Sequence, residues 1–338
     1  MKKLILLIVL ILILLAIIYS KKPNSESLTS HLSPVTSFSL ALDWTPNTNH
    51  TGIYVAMSKG WYKEQGLDIK ILPYSSVSAD VLVSSGKADA GISSTESMMS
   101  DAATGNPVVS IAAIIAHNTS GLIALSEKAK SPKDLDGKIY GGFGATYEEP
   151  VIKQIIKTDG GVGKFKNITL DSSAMQALES KKIDFVWVFE GWEGIAAQQS
   201  GLKTNFFPIT KYGVPDYYTP TIIASPKEIK IKQALLKKFM TATSRGYEYA
   251  RAHPKESAKI LIDTTPKGTF SDPKIVYASQ DFLSKAYATD EKKWGVQEKK
   301  MWHDYPKFMI DSGAVVDQEG KKVSKIDFDS LYTNEFLQ

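Results

Sequence analysis

From residue 37 onward, short apolar segments alternate with longer stretches whose apolar residues recur at helical spacing. Residues 37–42, 67–72, 90–93 and 108–113 read as strands, and helices are expected at 52–63, 78–85 and 95–104. Strands each followed by a helix specify an α/β fold with doubly wound, mainly parallel sheets, because parallel neighbours need a crossover connection. Residues 121–126 form another strand. A second unit starts at 138–142, with a glycine-rich turn and a helix carrying Val151, Ile152, Ile155 and Ile156 on one face. Residues 184–189 are a strand, 191–199 turn into a helix, and 221–224 are a return strand. Beyond Ile231 the chain is largely helical, with Pro254, Pro266 and Pro306 as breakers. The strands at 121–126 and 221–224 bracket a block the length of a small α/β lobe. The expected organisation is two lobes, 37–124 plus 222–338 and 125–221. Ligands of open α/β sheets bind beyond the carboxyl ends of the strands. The loops to inspect are therefore 43–52, 94–96, 117–120, 142–149 and 190–194.

The N-terminal end has a different character. Lys2 and Lys3 precede an unbroken apolar run from Leu4 to Ile18, followed by Tyr19, Ser20, Lys21 and Lys22. A basic start and such a run suit a secretory signal. A spanning helix wants about 17–25 apolar residues, but Tyr19 and the lysines extend this one at the interface. Ile18 and Lys21 make a poor cleavage junction around Ser20. Residues 1–20 are read as an uncleaved membrane anchor, with a cleaved signal peptide as the alternative. Residues 21–36, rich in Ser, Thr and Pro, are a tether. On either reading the folded body lies outside the cytoplasm.

Composition removes several function classes. The 338 residues carry 40 Lys+Arg against 36 Asp+Glu, a net +4, of which residues 1–35 supply +3. The body is nearly neutral and shows no basic stripe for nucleic acid. With 43% hydrophobic and 22% charged residues, the chain is not disordered. It has no cysteine, which removes disulfides, thiolate metal sites, thiol nucleophiles and a thioether lipid anchor together.

Gly142 and Gly144 follow a strand, but Tyr147 stands where a dinucleotide fingerprint needs its third glycine. Two readings of this loop remain, a ligand contact through free backbone N–H groups or a plain tight turn. Histidines 31, 50, 117, 253 and 303 show no metal-binding spacing. His253 and His303 read as surface or capping residues, whereas His50 and His117 stand in post-strand loops. No G-x-S-x-G elbow is present. Trp187 lies inside a strand and reads as packing. Glu190 and Trp192 stand past that strand, and a carboxylate beside an aromatic suits a flat heteroaromatic ligand with an exocyclic amine. The competing reading is a solvated carboxylate beside a surface tryptophan.

The segment Asp43-Trp44-Thr45-Pro46-Asn47-Thr48-Asn49-His50-Thr51-Gly52 resembles the opening motif of NMT1/THI5-like periplasmic-binding-protein folds, in particular the pyrimidine-precursor receptors of thiamine salvage. Agreement continues through Lys59-Gly60-Trp61-Tyr62, Gly86-Lys87-Ala88-Asp89-Ala90-Gly91-Ile92, His117-Asn118-Thr119-Ser120-Gly121, Gly191-Trp192 and Asp216-Tyr217-Tyr218-Thr219-Pro220. The resemblance implies a two-lobed fold with a two-strand hinge, acting as an extracytoplasmic receptor of an ABC importer. Its partners would be a formylaminopyrimidine or hydroxymethylpyrimidine ligand, the permease and its ATPase, and the membrane through the N-terminal helix. A monomer without cofactor or metal is expected. The matched motifs and loops give Asp43, Trp44, Asn49, His50, Glu96, His117, Asn118, Gly144, Tyr147, Glu149, Glu190, Trp192 and Tyr218 as ligand-binding candidates. A receptor for riboflavin or an alkylsulfonate is the alternative. The superfamily also includes fungal pyrimidine synthases, whose essential lysine and histidine correspond here to Ser93 and Ser97. Their cysteine-rich iron motif lies near 217–220, where this chain has no thiolate. The chain is therefore not expected to be an enzyme.

Overall fold

The computed structural model describes residues 35–170, 173–289 and 291–337. The expected anchor at 1–20 and nearly all of the tether lie outside them. Among the described residues no helix is long and apolar enough to cross a membrane.

Among the described residues ten strands form two five-stranded sheets. The first contains β1 (Thr36–Ala41), β2 (Leu67–Leu72), β3 (Ala90–Ser93), β4 (Val109–Ala113) and β10 (Thr221–Ala224), in the order β2-β1-β3-β10-β4. The second contains β5 (Ser120–Leu125), β6 (Ile139–Gly142), β7 (Lys166–Thr169), β8 (Phe185–Phe189) and β9 (Thr204–Pro208), ordered β7-β6-β8-β5-β9. In each sheet four strands share one direction and a single strand opposes its two neighbours. The opposing strands are β10, between β3 and β4, and β5, between β8 and β9. Each is the strand that the chain enters on crossing from one sheet to the other. The expected boundary at 124/125 is therefore corrected: β5 hydrogen-bonds to β8 and β9, so the first crossover precedes Ser120.

Twelve α-helices among the described residues connect and flank the strands. They are α1 (Thr51–Ser58), α2 (Trp61–Glu64), α3 (Ala79–Ser84), α4 (Thr95–Ala103), α5 (Glu148–Thr158), α6 (Ala174–Glu179), α7 (Ile195–Gln199), α8 (Pro226–Ile231), α9 (Gln233–Ala252), α10 (Pro254–Thr264), α11 (Pro273–Ala286) and α12 (Lys299–Ser312). The expected helix over 52–63 is broken at Gly60, which adopts a left-handed φ of 76°. Pro254 starts α10, where its missing N–H is no loss, and Pro266 follows that helix. Pro306 does not break the chain as expected but lies inside α12. Proline forfeits a helical hydrogen bond, which is offset by burial of the face formed by Trp302, Tyr305, Pro306 and Met309.

The first sheet and its helices share a core of Phe38, Leu40, Ile92, Ile222, Phe239 and Trp294. Gly246 of α9 meets α1 so closely that a Cβ there would stand 2.0 Å from the Gly52 carbonyl oxygen. This contact fixes the helix that follows the 43–50 loop, and with it that loop's position.

Candidate functional site

The loops after β1 and β3 meet the loop that follows β6, through Trp44 against Phe143 and through Tyr147 near Glu96 and Asp80. After β1, the Asn47 side chain caps the turn Thr48–His50, accepting from the Asn49 N–H at 2.9 Å. His50 is fully buried; its Nδ1 accepts from the Asn47 N–H at 3.2 Å. That bond leaves the ring proton on Nε2, which donates to Asp43 Oδ1 at 2.9 Å. Tyr247 and Tyr287 donate to the Asn49 and Thr48 carbonyls at 2.6 and 2.5 Å. The motif from 43 to 50 thus acts mainly as a scaffold, with His50 holding Asp43 and Asn49 tied through its backbone.

Trp44 stands half-buried at the mouth. Its ring lies 4.8 Å from Tyr74 and meets Phe143, from the loop after β6, edge-on at 6.0 Å. Tyr74 and Phe143 are 44% and 48% exposed, so these three rings form an aromatic rim shared by the two sheets' loops.

Deeper in, carboxyl groups collect. Ser93 donates to the buried Asp80. Burial raises the Asp80 pKa, and the charge of Asp43 adds to the effect. Asp101 is pushed up to about 8 by burial and by Asp80. Glu96, at the start of α4, is only 4% exposed and accepts on Oε1 from both Tyr217 and Tyr305. Burial raises its pKa against those two bonds. Tyr147, from the opposite loop, is held un-ionised by burial and by the nearby charges of Glu96, Glu148 and Asp80. Its ring meets Trp187 edge-on at 6.2 Å.

The glycine loop is closed on itself. Glu148 accepts from Tyr140 Oη at 2.7 Å and from the N–H groups of Phe143, Gly144 and Ala145 at 3.0, 2.8 and 2.9 Å. The N–H of Gly144 is therefore taken by a carboxylate and does not face a ligand. Glu149 is exposed and pairs with Lys153, whereas the carboxylate built into this loop is the buried Glu148. The helical pattern held that signal: Glu148 lies three and four residues before Val151 and Ile152, on their inward face.

Glu190 stands half-buried just past β8, its backbone N–H bonded to the Thr119 carbonyl at 2.9 Å. Burial raises its pKa and Lys211 opposes that. Neighbouring Glu193 is likewise raised by burial and accepts from the Phe189 N–H at 3.2 Å. Trp192 is not brought to Glu190's ligand side. Its ring meets Phe270 at 5.9 Å and packs with Tyr54, Leu261 and Val276, because Gly191 lets the segment approach α11.

The crossovers are clasped together between the sheets. His117 Nδ1 lies 2.6 Å from Asp216 Oδ2, and Asp216 Oδ1 accepts from the Asn118 N–H at 2.8 Å. His117 is thus an exposed strut between the crossovers, and it lines a small pocket together with Ala113, Tyr218 and Lys292. Tyr218 is buried behind the crossover, its hydroxyl accepting from the Glu298 N–H at 2.9 Å. Asp80, Phe143, Tyr74 and Glu148 are residues that sequence reasoning missed. Asp80 shares a helical face with buried Val83, a signal the α3 pattern carried.

Comparison with known proteins agrees with this architecture. The chain is 26% identical over 272 residues to the formylaminopyrimidine-binding protein of Halalkalibacterium halodurans, covering 78% of this chain and 81% of that protein. It is 26% identical over 304 residues to a 4-amino-5-hydroxymethyl-2-methylpyrimidine phosphate synthase of Legionella pneumophila, covering 88% and 91%. The periplasmic aliphatic sulphonate binding protein of Escherichia coli superposes with a TM-score of 0.65 at 12% identity, over 89% of this chain and 99% of that one. This likeness establishes the two-lobed periplasmic-binding-protein fold. The profile described as NMT1/THI5 like matches residues 47–257, more than half of the sequence, and the chain belongs to that family.

Proposed function

We propose that this protein is an extracytoplasmic, monomeric solute receptor that captures a thiamine pyrimidine precursor and delivers it to an ABC importer. The observation that carries this reading is the lining of the cleft. Asp43 lies near Asp80, Tyr147 lies near Asp80 and Glu96, and Trp44, next to Asp43, forms an aromatic rim with Tyr74 and Phe143, while Glu190 stands just past β8. A planar, amine-bearing ring meets stacking surfaces and hydrogen-bond acceptors there, whereas a sulfonate would meet like charge. In this account the stacking partners are Trp44 and Tyr147, and Glu190 accepts from the ring amine. The named similarity to a formylaminopyrimidine-binding protein supports the same ligand class. A synthase reading has less support, because Ser93 and Ser97 supply neither an amine nucleophile nor an imidazole. The lobes would close around the crossovers at 114–119 and 212–220, and the apolar N-terminal segment would keep the receptor at the membrane.

Calorimetric titration of wild type and Glu190→Gln with 4-amino-5-hydroxymethyl-2-methylpyrimidine and its deaminated analogue tests the reading. Wild type should prefer the amine by roughly tenfold to a hundredfold, and the variant should lose that preference. A preference left intact would remove Glu190 from the role.

A further inference from the structure

Residues 190–194 form a single π-helical turn directly after β8 of the second sheet, yet the turn is gripped by helices that pack on the first. Leu283 of α11 and Tyr287 just beyond it are part of the first sheet's core. Three contacts make the grip. Gly191 comes so close to α11 that a Cβ there would stand 2.7 Å from Leu283 Cδ2. Ser279 of α11, fully buried, donates its hydroxyl hydrogen to the Gly191 carbonyl. With that hydrogen committed, Ser279 Oγ accepts from the Thr48 hydroxyl at 2.5 Å. Thr48 opens the turn in which His50 holds Asp43, so one hydrogen-bonded line joins the peptide after Glu190 to the 43–50 loop. The Trp192 ring, half-buried, packs among Tyr54 of α1, Leu261 of α10, Val276 of α11 and Phe270 of the loop between those last two helices. These contacts join the two lobes outside the crossovers at 114–119 and 212–220, and so they depend on the lobes being together.

We infer that Trp192 and Ser279 are a latch, which draws the Glu190 turn onto the first lobe when the cleft shuts and lets it go when the cleft opens. The inference rests on the proposed receptor reading and deepens it, by naming what holds Glu190 in place once ligand is bound. Indole and hydroxyl act here as positioning groups, and neither has to touch the ligand. Contacts that exist only in the closed form shift the balance towards that form. They therefore slow ligand departure, which requires opening, and leave entry into the open cleft unchanged. Release of the turn exposes Trp192 and Phe270 together, because each covers part of the other.

The test begins with hydroxyl-radical footprinting of the wild type, read residue by residue by mass spectrometry, with and without 4-amino-5-hydroxymethyl-2-methylpyrimidine. Trp192 and Phe270 should be oxidised roughly threefold more slowly when the ligand is bound. Trp294, buried in the first sheet's core, should not change. Stopped-flow kinetics then compares variants. Trp192→Ala should speed dissociation by about tenfold and leave the association rate within about twofold of wild type. Trp192→Phe, which refills much of the space, should recover most of the loss, and Ser279→Ala should act in the same direction as Trp192→Ala. Equal oxidation of Trp192 with and without bound ligand overturns the inference and leaves the receptor reading standing, since the turn would then be a fixed part of the first lobe. Wild-type rates in Trp192→Ala also overturn it. Should that variant not fold, the footprint of the wild type decides alone. Calorimetry that finds no pyrimidine binding by wild type overturns both readings.

Discussion

Trp44 and Phe143 meet edge to face with ring centroids 6.0 Å apart, each contributed by a loop from a different sheet. Such a pair contributes about 0.5–1.5 kcal/mol beyond the area it buries, and it bridges the cleft mouth. Phe143→Ala should weaken pyrimidine binding by about two- to tenfold. The loss should appear mainly as faster dissociation, measured by stopped-flow fluorescence. Phe143 is 48% exposed, so the melting temperature should barely move. An unchanged dissociation rate would mean that the rim does not cover the ligand.

Glu148 and Glu149 are adjacent in sequence and opposite in consequence. Glu148 is 1% exposed and receives four hydrogen bonds, three of them from the loop that carries Phe143. Glu148→Gln replaces one accepting oxygen with a donor facing other donors, and should destabilise the fold by about 1–3 kcal/mol. Glu149→Gln removes an exposed ion pair with Lys153 and should fall within about 0.5 kcal/mol of wild type. Urea denaturation of the two variants side by side decides the point; equal effects would contradict the geometry.

Asp80 and Asp101 are hydrogen-bonded through their carboxyl groups, and burial raises the pKa of both. Asp101 is pushed up to about 8 by burial, reinforced by Asp80, and the unfolded chain releases that proton near the ordinary carboxylate value of about 4. The folded state therefore binds more protons between those limits. This contribution is fully present below about pH 4 and fades as pH rises towards 8. The melting temperature should fall between pH 6 and pH 9. Asp101→Asn, whose amide donates to Asp80 at any pH, should flatten that part of the profile. Parallel calorimetric profiles for variant and wild type would contradict this.

The strands at 67–72, 90–93 and 221–224 were legible to the residue, because β-rich apolar runs bounded by turns leave little choice of register. Strands β7 and β9 were not. Lys166–Thr169 is mostly exposed and Thr204–Pro208 is only partly buried, so neither carries an apolar signature. The site divides along similar lines. Asp43, Trp44, Glu96, Tyr147 and Glu190 stand, as read from the sequence, in segments that directly follow strands. What Trp192 packs against was not legible, because its partners Leu261, Phe270 and Val276 are about seventy or more residues away in sequence. Gly144 was misjudged because the acceptor for its N–H is a side chain, which local spacing does not reveal.

The central claim is that the acidic, aromatic-rimmed cleft takes an aminopyrimidine. The most direct measurement is calorimetric titration of the soluble body, residues 36–338, with the two thiamine pyrimidines and with an alkylsulfonate in parallel. The account predicts saturable one-to-one binding of a pyrimidine, no detectable binding of the sulfonate, and compaction in solution scattering when the pyrimidine is added. At about 100-fold excess over its dissociation constant, the pyrimidine should also add about 2.7 kcal/mol of stability. Saturable binding and compaction with the sulfonate, and neither with any thiamine pyrimidine, would contradict it.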